Sequence, residues 1–261
     1  MIVETLHRYP VKGLSPERLD GMALAPGAFV PGDRLFAIEN GPSGFDPAAP
    51  RYQPKVKFLT LMRNEALARL RTRYDDRAGE LHVEADGASI AGDLSTETGR
   101  HAVASFIGEA VAGELRGEPK VLTAPPGFRF TDTRSGYVSL INLASVAAVE
   151  DLVGRPVNPL RFRGNVAVSG LAPWAEFDLV GRVLETGSGL RLKATGRIRR
   201  CAAVDVDPDT GERDLSVPPT LMRSLGHADF GIYLEVLAGG VLKPGDILRT
   251  AADRQGALDF G

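Results

Sequence analysis

The sequence predicts a mainly β (α+β) fold made of two β-rich domains joined by a helix. Three observations carry this. Gly (30) and Pro (18) punctuate short apolar runs throughout the 261 residues, a pattern of many short strands and turns. Only two segments show helical periodicity over more than two turns. No internal repeat or low-complexity stretch interrupts the chain.

Residues 1–92 read as mostly β. LFAIEN (35–40) runs into Gly41-Pro42 as a strand and turn. VKFLTLM (56–62) and LHVEAD (81–86) read as further strands, and EALARLRTRY (65–74) as a short helix. TETGRHAVASFIGEAVAG (96–113) is the first clear helix: Val103, Phe106, Ile107, Ala110 and Val111 share a face, Thr96 or Ser95 caps the start and Gly113 the end. This connecting helix, over 93–115, is the expected seam between domains 1–92 and 116–252, with 253–261 a loose tail. LASVAAVEDLVGRP (143–156) is a second helix, stopped by Gly154 and Pro156. Strands follow at 165–170, 176–185, 189–195, 198–206, 231–237 and 241–250.

Composition excludes several classes. The net charge of −2 provides no global field for nucleic acid or anionic lipid, so any anion site must be a local cluster. No apolar stretch reaches the roughly 20 residues of a membrane span, and the N-terminus MIVETLHRYPVKG lacks the apolar run of a signal peptide. The expectation is a cytoplasmic protein with no nucleic-acid or membrane partner. One cysteine excludes an intrachain disulfide and CxxC metal sites. His7, His82, His101 and His227 do not stand at ligand spacing. GxGxxG, GxxxxGK[ST] and GxSxG motifs are absent.

The candidates for chemistry are basic residues around one thiol. Cys201 follows Arg197, Arg199 and Arg200 in RIRRC. Such a cysteine is either an inert buried thiol or one held toward its anion by guanidinium groups. If 198–206 is a strand, Arg197, Arg199 and Cys201 share one face and Arg200 takes the other. DPDTG (207–211) closes a hairpin. In NPLRFRGNVAVSG, Arg161, Arg163 and Asn165 alternate into a strand, as a solvated basic edge or an anion clamp. Lys12 in YPVKG and Arg34 in GDR are loop charges. DTRSGYVSLINLAS offers hydroxyls, Ser135 among them, ahead of a helix start.

Taken in order, YPVKG, GDR with LFAIEN, APRYQPKV, NLASVAAVEDL, FRGNVAVSG with Trp174 and Glu176, RCAAVDVDPDTGERD and VLKPGDIL resemble the MOSC family. The likeness is to its two-part form, as in the mitochondrial amidoxime-reducing component and bacterial relatives. It implies an N-terminal β-barrel-like domain followed by a MOSC β-barrel domain with a few helices. It further implies a molybdenum cofactor (molybdopterin) whose metal is bound by Cys201, the catalytic residue, with Lys12, Arg34, Ser135, Arg163, Asn165 and Arg199 holding the cofactor. Gly13 stands where relatives often have serine. Pyridoxal phosphate binding is an association of the family as a whole. The implied reaction is the two-electron reduction of small N-oxygenated compounds; the alternative is a sulfur carrier using a Cys201 persulfide. With no cysteines to spare, electrons are expected from a separate donor protein: cytochrome b5-like, a ferredoxin or a flavin reductase.

Overall fold

The computed structural model describes residues 1–133, 135 and 137–251, so the expected tail at 253–261 lies outside the described residues. The chain begins with β1 (Ile2–Arg8), β2 (Glu17–Leu19), β3 (Met22–Leu24) and β4 (Phe36–Asn40). A hairpin pair follows: β5 (Arg71–Asp75), β6 (Glu80–Ala85) and β7 (Ala88–Asp93). Next come α1 (Glu97–Ala110), β8 (Pro119–Thr123), β9 (Val138–Asn142), α2 (Leu143–Val153), β10 (Val166–Ser169), β11 (Val183–Glu185) and β12 (Arg191–Arg199). The chain then runs through α3 (Val217–Leu225), β13 (Asp229–Ala238), β14 (Gly240–Leu242) and β15 (Arg249–Thr250). The mainly β, α+β class is the one expected.

Local chemistry explains the helix ends. The Thr96 hydroxyl accepts from Gly99 N (3.0 Å) to start α1, and Asn142 accepts from Ala144 N (3.1 Å) to start α2. Gly154, left-handed at φ 72°, ends α2. α1 ends at Ala110, short of Gly113, with Val111 buried at its C-cap.

The principal sheet has the order β15-β11-β12-β13-β9-β10-β1-β2. All its pairings are antiparallel except β10 with β9. β1 and β2, from the first 92 residues, thus pair into the sheet of the later segment, and β3 pairs β14 in the same way. The sheet curls but does not close as a continuous ladder. The segment leading into β15 meets β1, one strand in from the other end, through an Ile2–Ile247 bridge and the backbone bonds Val3 N–Asp246 O (2.9 Å) and Leu248 N–Met1 O (3.0 Å). Inward side chains such as Leu6, Leu140, Val168, Leu192 and Leu234 fill the interior, while α2 and α3 cover Ile141, Ala167 and Phe230 on the outside. A second core, with Ile38, Leu59, Leu81, Val103 and Ile107, lies under β4–β8, β5–β7 and α1.

Several segments differ from expectation: α3 has no counterpart in the sequence reading, and the strand expected over 241–250 is two short strands, β14 and β15, around a turn. VKFLTLM is a 3₁₀ turn at 55–57 followed by coil, with one bridge between Phe58 and Glu39. Phe58, Leu59, Thr60 and Leu61 are all buried, and a run buried on every side has no alternation to read. The helix expected over 65–74 is a 3₁₀ turn (Glu65–Arg69) running into β5. The first half of 176–185 is 3₁₀ (Ala175–Leu179). Finally β12 stops at Arg199, and Cys201 stands at the N-cap of a 3₁₀ turn, Ala202–Asp205. No helix of the described residues is long and apolar enough to cross a membrane.

Candidate functional site

A cavity of about 470 Å³ lies where the loop after β1 and segment 55–62 face segments 131–139, 161–165 and the end of β12. Lys12, Arg34, Arg163, Asn165, Arg199 and Cys201 all line it. These residues are separated by up to 189 positions in the chain and come together because β1 is a strand of the principal sheet. Ser135 stands apart from the lining residues: it is exposed, and its carbonyl accepts from the Thr133 hydroxyl (3.0 Å). The hydroxyl-rich loop meets the cavity through Thr131, Asp132 and Thr133 instead.

Arg34 and Arg163 lie against the buried Tyr9 ring, their guanidinium carbons 4.6 and 4.3 Å from its centroid. Both adopt left-handed backbone, φ 48° and 50°, which is uncommon for residues with a Cβ and gathers at functional positions. Arg34 pairs with Asp33, Nη1 to Oδ1 at 2.6 Å; Asp33 also accepts from Tyr9 N (2.8 Å). Burial opposes the Arg34 charge, but Asp33 overrides it and leaves the group above its ordinary value. Among the described residues Arg163 forms no ion pair. Its Nη1 donates to Leu14 O (2.9 Å), and burial pulls its pKa down to about 10.

Arg200 was expected on the opposite face from Cys201, and that reading is corrected: the strand ends at Arg199, alternation no longer applies, and Arg200 lines the same cavity. Its Nε donates to Phe230 O (2.8 Å) and its Nη1 to Phe162 O (2.7 Å), anchoring it beside the stacked Phe162–Phe230 pair. Burial lowers its pKa to about 10 as well. At neutral pH both arginines remain charged.

Cys201 is a free, half-buried thiol. Lys55, which no motif singled out, lines the same cavity as Cys201 and pairs with Asp132 at 3.6 Å. Burial opposes the Lys55 charge, but Asp132 and then Cys201 raise its pKa. Lys12 donates to Phe130 O (3.0 Å) and to Asp132; burial pulls its pKa below the usual ammonium range. Asp132 is the counterion of this group. Burial disfavours its carboxylate, but Lys12, Lys55 and Arg34 outweigh that and hold it at about 2. Lys55 sits in the quoted APRYQPKV segment, which was the one sequence signal that could have found it.

Asn165 braces the wall. Its Oδ1 accepts from Ser139 N and Oγ (3.1 and 2.7 Å), and its Nδ2 donates to His7 O (3.2 Å). Gly13 has φ 87°, and a Cβ there would stand 2.9 Å from Leu59 O. Gly13 therefore belongs to a loop packed tightly on segment 59–60.

DPDTG is the tight turn expected: Asp207 Oδ1 accepts from Asp209 N (2.8 Å) and Thr210 N (2.9 Å), and Val206 bridges Arg213. Arg161, one of the most buried charges, clamps it from beneath. It donates to Asp207 Oδ2 (2.6 Å), Asp214 Oδ1 (2.8 Å) and Asp205 O (3.1 Å). Arg161, which the sequence offers with Arg163 as a solvated basic edge or an anion clamp, is thus a structural tie, while Arg163 keeps capacity for a ligand.

Among the described residues, Arg163 Nη2 and Arg200 Nη2, like Arg161 Nε, are buried and lack a hydrogen-bond acceptor. Buried N–H groups without acceptors are costly, and the oxygens of an anion supply what they lack. Among the described residues no group of three or more His, Cys, Asp or Glu could hold a metal ion. A metal at Cys201 would have to bring most of its donors with it.

Two family models cover almost the whole chain: the MOSC N-terminal beta barrel domain over residues 1–119 and the MOSC domain over 128–249. The chain belongs to the MOSC family. It is 33% identical over 112 residues to a molybdenum cofactor sulfurase of Caenorhabditis elegans, 40% of this chain and 15% of that protein. It is 35% identical over 99 residues to the molybdenum cofactor sulfurase of Caenorhabditis briggsae, 36% of this chain and 14% of that one. Against solved structures, it is similar to the YuaD protein of Bacillus subtilis, with TM-score 0.43, 15% identity, and 95% and 93% of the two chains covered. YiiM of Geobacillus stearothermophilus matches with TM-score 0.35 and 19% identity, over 44% of this MOSC chain and 53% of the other.

Proposed function

We propose that the cavity binds a molybdenum cofactor through Cys201 and that the loaded protein reduces N-oxygenated compounds. The observation that carries this reading is the sharing of one cavity by a free thiol and the side chains of Arg163 and Arg200, each of which carries a buried Nη2 without an acceptor among the described residues. A molybdenum-cofactor-related function is also supported by MOSC membership and by the sulfurase relatives.

The residues fit the group. A cysteine sulfur is a soft donor suited to a molybdenum–sulfur centre. Arg163 and Arg200 offer their guanidinium groups to the phosphate of the pterin, with Arg34, Lys12 and Arg199 adding positive charge around it. Lys55 keeps its proton beside Cys201 and therefore acts as a fixed cation. Asp132 sets the spacing of Lys12 and Lys55 and prevents three cations from repelling one another across the wall. When bound, the cofactor supplies two-electron oxygen-transfer chemistry at its metal. The chain contributes one thiol and no second redox group, so the reductase reading calls for a separate electron-donor protein.

A second reading has its own support in the sulfurase relatives: a sulfur carrier in which Cys201 holds a persulfide, stabilised by the same cations. The two separate in one preparation. Protein made in a host that synthesises the cofactor is supplied with a reduced viologen dye and benzamidoxime, and benzamidine is measured. Amidine formation that disappears in Cys201→Ala supports the reductase. A one-sulfur mass increase on Cys201 in metal-free protein, without amidine formation, supports the carrier.

A further inference from the structure

We infer that Arg213, which lies outside the cavity, is a positioning residue that sets Cys201 against the opposite wall. The inference rests on Cys201 being the working thiol of the site. Cys201 follows the last residues of β12 into a 3₁₀ turn with no side-chain hydrogen bond capping it, so its placement depends on what holds that turn. Arg213 does so directly. Its Nη1 donates to the carbonyl of Ala202, the next residue after Cys201. Its Nη2 donates to Leu61 O (3.0 Å) and Met62 O (3.3 Å) and pairs with Glu65 Oε2 (3.0 Å). Leu61 and Met62 line the cavity from the other side. One planar fork therefore spans both walls, a geometry that lysine cannot reproduce with a single ammonium.

The turn that carries Arg213 is itself fixed twice. Arg161 clamps it from within, and Arg71 reaches over from β5 to the carbonyls of Pro208 (3.0 Å) and Asp209 (3.0 Å). The short DPDTGERD segment thereby becomes the joint between the first core and the thiol. Its spacing from the cysteine has a mechanical consequence: Arg213 is far enough along the returning limb of the hairpin to touch Ala202 and segment 61–65 together.

Cys201 is the only cysteine, so its labelling by a bulky maleimide reports the position of the turn without any cofactor. In cofactor-free protein, Arg213→Gln is expected to label roughly tenfold faster than the natural sequence, the effect of losing about one net charge-assisted hydrogen bond. Arg213→Lys falls between them. Arg155→Ala is the control, because Arg155 pairs with Asp214 (3.0 Å) on the outer side of the same turn and touches neither wall. It labels at the natural rate. Equal labelling of Arg213→Gln and the natural protein, or of Arg213→Gln and Arg155→Ala, overturns the inference. If Arg213→Gln does not fold, Glu65→Gln tests the same contact and is expected to speed labelling to a smaller degree. Failure of the cofactor reading has a different signature: the natural protein retains no molybdenum, whatever the labelling rates.

Discussion

Replacing Arg161 by methionine tests whether the DPDTG turn is held by its buried clamp. The guanidinium side chain is 1% exposed, and its partners Asp207 and Asp214 are 22% and 15% exposed. Methionine keeps most of the volume and removes every donor, leaving two carboxylates and the Asp205 carbonyl without their partner. Removing one member of a buried, hydrogen-bonded ion pair costs about 3–5 kcal/mol. The low end applies, since Asp207 retains two backbone donors, Asp214 retains Arg155, and both aspartates reach some water. At about 2–4 °C per kcal/mol for a chain of this size, a loss of about 3 kcal/mol lowers the melting temperature by about 6–12 °C. Thermal unfolding of cofactor-free protein, followed by circular dichroism, measures it. A melting temperature within about 2 °C of the natural protein would refute the reasoning, because the expected loss corresponds to at least three times that shift.

Asp132 gives a pH test. Its folded pKa of about 2 lies below the ordinary value of 3.8, so its contribution to stability is full above that ordinary value and is lost as pH falls toward 2. Half of its side chain is exposed, which screens the pairing and keeps the effect small. The melting-temperature gap between Asp132→Asn and the natural protein should be widest above pH 5 and close near pH 2; a gap independent of pH contradicts the assignment. Gly231 has φ 73°, and a Cβ there would lie 2.4 Å from Leu140 O and 3.2 Å from Arg200 Nη2. Gly231→Ala should cost about 1–3 kcal/mol in left-handed strain alone and disturb Arg200, lowering both the melting temperature and the affinity for phosphate, read by calorimetry.

Much of this was legible in the sequence because its signals are local. β6 shows its alternation at Leu81 and Val83, and α1 and α2 announce themselves by Thr96, Asn142 and Gly154. The site was legible as a set of residue types: Lys12, Arg34, Arg163, Asn165, Arg199 and Cys201 do converge. Three features were not legible, each for a physical reason. Short 3₁₀ turns such as 55–57 and 202–205 have no periodicity longer than themselves, so the ending of β12 at Arg199 left no mark and Arg200 was assigned to the wrong face. The roles of Arg161 and Arg163 depend on tertiary partners: Asp207 and Asp214 neutralise one, while the other donates to the Leu14 carbonyl and lies over the Tyr9 ring. Lys55 matters through Asp132 and Cys201, partners 77 and 146 positions away that no spacing rule encodes.

The claim that the cavity holds a molybdenum cofactor on Cys201 is tested most directly by measuring molybdenum and pterin together. Protein from a cofactor-producing host should carry equimolar molybdenum and phosphorylated pterin. Cys201→Ser should lose most of the metal, and the Arg163→Met/Arg200→Met double variant should lose metal and pterin alike. Natural protein without either component, or a Cys201→Ser variant with undiminished molybdenum, would contradict the account.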